Sequence, residues 1–224
     1  HLLFKGTDKF GSLDYAKEEP YLNEIEGLYE VYRTKRDSAE RAAIYHKIDS
    51  VSGVAAKWAI ANEYDKLTSG LGAQGTNAFT SNEQTVYVND IPSNMVEKWL
   101  TIEGERYRHP VLRLFHTELE AVYEEKNRGL DNDGSLAWET LMASLYRVHP
   151  YGQQTTIGTI EHLKNPSITK IKEFYSKWYV PNNMAIVMAG DLDPDAVIAT
   201  IDRTFGSLPT KPLEPWVSPK EEPL

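Results

Sequence analysis

Apolar and polar residues recur along this chain with two periods, and the switches between them predict its elements. Between residues 20 and 66 the period is helical: Leu22, Ile25, Tyr29 and Tyr32 fall at the i, i+3, i+7 spacing of one helix face. The charged stretch 34–38 interrupts it, and Ile44, Ile48 and Val51 mark a second helix. Two amphipathic helices joined by a short polar turn predict an antiparallel hairpin. It reads as a structural excursion, a substrate contact or a partner-docking surface. Gly70, Gly72 and Gly75 break the helical pattern, and 76–81 and 84–88 read as two β-rich strands about a turn at Asn82 and Glu83. Pro92 opens another helix, with Val96, Trp99 and Leu100 inward and Glu103, Glu105, Arg106 and Arg108 outward. Helices follow over 111–127 and 136–146. Another runs to Trp178 behind a cap at Ser167, with Ile168, Ile171, Phe174 and Tyr175 on its apolar side, and the last spans Pro194 to Phe205. Residues 184–189 predict a buried strand ending at Gly190-Asp191. Helices outnumber strands and separate strands distant in sequence. The expected class is α+β, a small, mainly antiparallel sheet covered by helices.

The two ends read differently. His1-Leu-Leu-Phe-Lys-Gly-Thr7 reads as the last turn of a helix capped at Gly6. Four or five residues are too few to nucleate a helix alone, so an upstream part is expected. From residue 208 onward, Pro209, Pro212, Pro215, Pro219 and Pro223 recur every three or four positions, which predicts an extended linker toward a second domain. The expected organisation is a domain over 1–207, with the hairpin inserted at about 13–66, and a linker over 208–224.

Composition narrows the function. The chain has 224 residues, and 24 Lys+Arg against 33 Asp+Glu give 24 − 33 = −9. Such a charge argues against a nucleic-acid partner, which needs a basic face for phosphates. Hydrophobic residues at 41% place the chain among folded proteins, and no apolar run approaches the roughly 20 residues of a membrane helix. With no cysteine, disulfides, thiolate metal sites and cysteine nucleophiles are excluded, so a metal site would be built from His, Asp and Glu. The glycines at 70–75 lack the Lys-Ser/Thr of a phosphate loop and precede a strand, not a helix.

Glu118 stands out. At about 100° per residue it falls near the middle of the face made by Val111, Leu114, Phe115, Ala121 and Val122, with Glu125 at the solvent end of that face. Arg113, His116, Glu120, Glu124 and Asn127 fall opposite. A carboxylate facing a core must be paired, protonated or metal-bound, so Glu118 is a metal ligand, a catalytic group or half of a buried ion pair. Among the histidines, His46, His109, His116, His149 and His162 read as structural or solvated. His1 sits on the remnant of an apolar helix.

In this order along the chain, His1-Leu-Leu-Phe-Lys-Gly-Thr7, Gly75-Thr-Asn-Ala-Phe-Thr-Ser81 with Thr85-Val-Tyr87, Glu118-Leu-Glu-Ala-Val-Tyr-Glu-Glu125, His149-Pro-Tyr-Gly152, and Tyr179-Val-Pro-Asn-Asn183 with Gly190-Asp191 resemble the M16 zinc peptidases (pitrilysin, insulysin, mitochondrial processing peptidase). The resemblance covers nearly the whole chain apart from the helical hairpin. It implies that His1 is the second histidine of a His-x-x-Glu-His helix and a zinc ligand, and that Glu118 is the carboxylate ligand. It also implies that Asn77, Ala78 and Phe79 lie on an edge strand that binds substrate backbone by β-augmentation. Zinc with three protein ligands keeps a fourth position for water and lowers its pKa.

The first histidine and the general-base glutamate of that motif are expected before His1, so no catalytic base is assigned within the chain, and the segment is expected to be inactive alone. Between His1 and Glu118 lie 118 − 1 − 1 = 116 residues, a span the hairpin insertion accounts for. The expected function is zinc-dependent hydrolysis of peptides or unfolded proteins, between this unit and a homologous second one. The alternative is a non-catalytic M16-like subunit that binds or assembles. The resemblance to bacterial members with this insertion implies the periplasm or another extracytoplasmic setting.

Overall fold

A computed structural model describes residues 2–221. The predicted hairpin forms: α1, Tyr15–Thr34, and α2, Ser38–Ala55, run antiparallel. Both starts are capped by aspartate. Asp14 accepts from the Lys17 amide and Asp37 from the amides of Ala39 and Glu40, satisfying N–H groups that have no partner within the helix. The hairpin is more than an excursion. Ile25, Tyr29, Ile48 and Ala55 pack with Phe115 and Ile168 into one cluster, so four of its six buried members come from the hairpin. At roughly 1.5–3 kcal/mol for each large apolar side chain buried, this is where the fold gains much of its stability.

A short helix, α3, Glu63–Gly70, leads to β1, Gln74–Thr80, which pairs antiparallel with β2, Thr85–Asp90. The register sets Asn77 opposite Val88, Ala78 opposite Tyr87 and Phe79 opposite Val86, with an irregularity between Gln74 and Asn77. Beyond it come α4, Val96–Arg108, α5, Phe115–Leu130, α6, Asp133–Leu145, α7, Pro150–Gln153, α8, Ile160–Lys164, α9, Ile168–Trp178, and α10, Pro194–Phe205. The class is α+β as expected, mostly helical with a two-stranded antiparallel sheet. No helix among the described residues is long and apolar enough to cross a membrane.

Four expectations are corrected. Residues 184–189 form no strand: among the described residues the sheet holds only β1 and β2, and without a neighbour the segment carries no regular structure, with Val187 90% exposed. Glu103 and Arg106 point inward on α4, on the face continued from Leu100. Their opposite charges make that burial tolerable. Helix α5 begins at Phe115, not 111, because Leu114 takes a left-handed φ of 55°. That break turns Arg113 into the interior, while Ala121 is exposed and His116 is buried. Phe174 lies outside the core at 59% exposure, and α9 buries Ile168 instead. Residues 208–221 carry no helix or strand, consistent with their prolines.

Candidate functional site

The short 3-10 turn Leu2–Lys5 is the hub of the candidate site. Phe4 reaches one way: its ring centroid is 5.8 Å from Tyr87 on β2 and 5.4 Å from Tyr64 on α3. Lys5 reaches the other way, its Nζ 2.6 Å from Glu118 Oε1 on α5, with both side chains largely buried (15% and 18% exposed). Tyr87 is the cross-strand partner of Ala78. Two adjacent residues thus link the strand hairpin to the carboxylate helix. Sequence reasoning placed those two elements in one site but did not identify what joins them.

Behind the turn lies a second buried centre. Arg106 is fully buried, with its guanidinium carbon 4.5 Å from the Tyr64 ring, 4.8 Å from Tyr87, 5.1 Å from Tyr107 and 5.3 Å from Phe4. It pairs with Glu103, which also accepts from the Tyr64 hydroxyl at 2.7 Å. Burial opposes the arginine's charge, yet Glu103 and the surrounding tyrosines hold its pKa above the ordinary value. Burial pushes the phenols of Tyr64, Tyr87 and Tyr107 upward. For Tyr87 the Tyr179 hydroxyl, 3.4 Å away, adds to the effect.

The sequence-assigned residues divide as follows. His1 lies outside the described residues. Glu118 is ion-paired to Lys5, one of the alternatives its position on the helix left open. Glu125, two turns further along, is exposed. On β1, Asn77 and Phe79 are exposed and Ala78 is half-buried, and among the described residues β1 pairs with a strand on one edge only. His46, His109 and His162 are exposed. His116 is buried against the Tyr29 hydroxyl at 2.7 Å, and His149 caps α7 through the Tyr151 amide at 3.2 Å.

Among the described residues no three His, Asp or Glu side chains converge as a metal would require. Glu118, with an ammonium at 2.6 Å, is one donor and not a centre. The described residues by themselves therefore do not fit a zinc site. A cavity of about 220 Å³ does exist, lined by Leu22, Asp49, Ser52, Phe115 and His116 among others, but it opens beneath the helical hairpin and not at Glu118.

Comparison with known proteins agrees with this architecture. Residues 167–224 match the family described as Peptidase M16 inactive domain. The zinc protease PqqE of Helicobacter pylori is 27% identical over 188 residues, covering 83% of this chain and 42% of that protein. An uncharacterized zinc protease of Rickettsia felis is 24% identical over 84% of this chain and 46% of its own length. The crystal structure of a protease from Helicobacter pylori superposes with a TM-score of 0.63 at 27% identity, over 71% of this chain and 38% of that one. The first half of the periplasmic protease PqqL from Escherichia coli gives 0.57 at 23% identity, over 65% and 32%, a likeness of fold. The chain is M16-like in sequence and in fold. It spans under half the length of the curated relatives named above.

Proposed function

We propose that this chain forms part of a zinc-dependent endopeptidase acting on peptides or unfolded proteins, with α5 supplying a carboxylate to the metal and β1 accepting substrate. The observation that carries the reading is the Leu2–Lys5 turn, which ties Tyr87, the partner of Ala78, to Glu118 through adjacent side chains. Glu118 is the assigned ligand together with His1, and Glu125, on the same face, is the carboxylate against which that assignment is tested. The sequence contains no His-x-x-Glu-His, so the remaining ligand and the general base come from outside these residues in this proposal. In this proposal an extended chain pairs with β1 along Asn77, Ala78 and Phe79, taking over the Ala78 amide that now donates to Asn77 Oδ1 at 2.8 Å, a backbone mode that suits unfolded substrates of varied sequence.

A homologous second M16 unit closing over the substrate, joined through residues 208–224, belongs to the same proposal. So does an extracytoplasmic location, the setting in which Escherichia coli PqqL is named a periplasmic protease. The test is cleavage of an unfolded polypeptide by the protein as its gene encodes it. Activity that zinc chelation abolishes and zinc restores supports the reading; activity indifferent to chelation contradicts it.

One observation favours a second reading. Glu118 already holds a cation of the chain's own, the Lys5 ammonium. A non-catalytic M16-like subunit, retaining the fold for binding or assembly, would keep that pair closed and show no zinc-dependent cleavage.

A further inference from the structure

Arg113 lies just before α5 and is 1% exposed. Its Nε donates to Glu18 Oε1 at 3.0 Å and Oε2 at 3.2 Å, and its Nη2 to Glu18 Oε2 at 3.1 Å. Its remaining bonds go to backbone: Nη1 donates to the carbonyls of Lys5 at 2.7 Å and Phe10 at 3.2 Å, and Nη2 to that of Thr7 at 2.8 Å. All three carbonyls belong to one loop, which closes on itself through the Thr7 amide to the Phe10 carbonyl at 2.8 Å. Gly6 and Gly11, at φ +94° and +92°, allow the loop to wrap the guanidinium. A Cβ on Gly11 would lie 2.4 Å from both Arg113 Nη1 and the Lys5 carbonyl.

That same loop presents Lys5 to Glu118. Glu18 belongs to α1 of the helical hairpin. A continuous path therefore runs from the hairpin through Glu18 and Arg113 to the Lys5 backbone, then through the Lys5 ammonium to the α5 carboxylate. We propose that Arg113 and Glu18 are positioning residues: by fixing the Lys5 backbone they set where the Glu118 carboxylate points. The hairpin is then part of the frame of the site. The functional meaning rests on α5 being the carboxylate element of the proposed zinc centre, whereas the positioning itself does not.

The rival explanation is a plain buried ion pair that fastens α1 to residue 113. The two differ in chemistry. A staple needs only opposite charges, while positioning needs N–H donors aimed at three carbonyls, which a carboxylate lacks.

The experiment is side-chain NMR of the protein as its gene encodes it, at one neutral pH, following the Glu118 carboxyl carbon, assigned with Glu118→Gln, and the Lys5 ammonium. Glu18→Gln is isosteric but turns one of the two oxygens that accept from Arg113 into a donor; Arg113→Lys keeps the charge and loses the fork. Both should displace the Glu118 and Lys5 signals while leaving those of Thr200 and Thr204 in α10 unmoved. The swapped pair Glu18→Arg/Arg113→Glu should fail to restore them. Unchanged Glu118 and Lys5 signals in Glu18→Gln, or signals restored by the swap, would overturn the proposal. If the Arg113 variants do not fold, Glu18→Gln decides alone. No zinc is used, so failure here and failure of the peptidase reading are told apart.

Discussion

Replacing Arg106 with methionine probes the buried centre that backs both the strand hairpin and the Leu2–Lys5 turn. The substitution removes the only cation beside Glu103 that the described ion pairs record, leaving that carboxylate with the Tyr64 hydroxyl. Breaking one partner of a buried pair costs about 3–5 kcal/mol. The four rings around the guanidinium also lose a cation, which adds to that cost. Methionine recovers part of this as apolar packing, and two guanidinium nitrogens, Nε and Nη1, have no hydrogen-bond partner among the described residues to lose. The net expectation is a loss of about 4 kcal/mol. For a chain of this size each kcal/mol lowers Tm by roughly 2–4 °C, so the fall should be about 8–16 °C. Urea unfolding and calorimetry measure it. The double variant Glu103→Leu/Arg106→Met, which strands no charge, should recover most of the loss. A single-variant cost under about 1 kcal/mol, or a double variant no better than the single, would refute the reasoning.

Three further outcomes are expected. Gly11→Ala should destabilise by at least about 2 kcal/mol in urea, from left-handed strain plus the 2.4 Å approach to the Lys5 carbonyl, whereas Gly27→Ala, in open space within α1, should stabilise slightly. Of the 13 tyrosines, Tyr29, Tyr64, Tyr87, Tyr107 and Tyr175 are pushed upward by burial from their ordinary value of 10, and Tyr45 to about 12. A raised folded pKa means the stabilisation is complete below pH 10 and is lost as pH rises above it, so absorbance titration should show the exposed phenols ionising first and the buried ones only on alkaline unfolding. Glu221 accepts from the backbone amides of His149 at 2.5 Å, Val148 at 2.9 Å and Arg147 at 2.9 Å, and these bonds, that of His149 foremost, hold its carboxyl below the usual value. Docking of the tail should therefore hold above the ordinary carboxylate range and release as pH falls through the lowered value, seen as faster amide exchange at 147–149; exchange indifferent to pH after correction for intrinsic rates would contradict it.

Period and punctuation carried much of the fold. The hairpin, the two strands and the helices that start behind Ser167 and at Pro194 were legible because local spacing and local start signals decide them. The buried charges were not. A helical wheel sends Arg113 outward only if the helix includes it, and the left-handed turn at Leu114 cannot be read from a leucine. Nothing near Glu18 in sequence marks it as the partner of a residue 95 positions away. Arg106 and Glu103 show the same limit: a pattern that sorts residues by polarity cannot see that two charges cancel within an aromatic cage. The segment 184–189 is strand-like by composition, but strand formation is settled by a neighbour, and the described residues provide none. The strand hairpin and α5 were legible as elements, whereas the Phe4 and Lys5 contacts that join them depend on tertiary packing.

The central claim, that α5 supplies a carboxylate to a zinc centre, is tested most directly by zinc content. The protein as its gene encodes it should be purified, equilibrated with zinc and measured beside Glu118→Gln and Glu125→Gln. The account predicts one tightly held zinc per chain, lost in Glu118→Gln with folding retained. Loss in Glu125→Gln alone would move the ligand two turns along the same face and contradict the assignment of Glu118. No zinc in the unsubstituted protein would contradict the claim itself and leave the Lys5–Glu118 pair as the closed feature of a binding subunit.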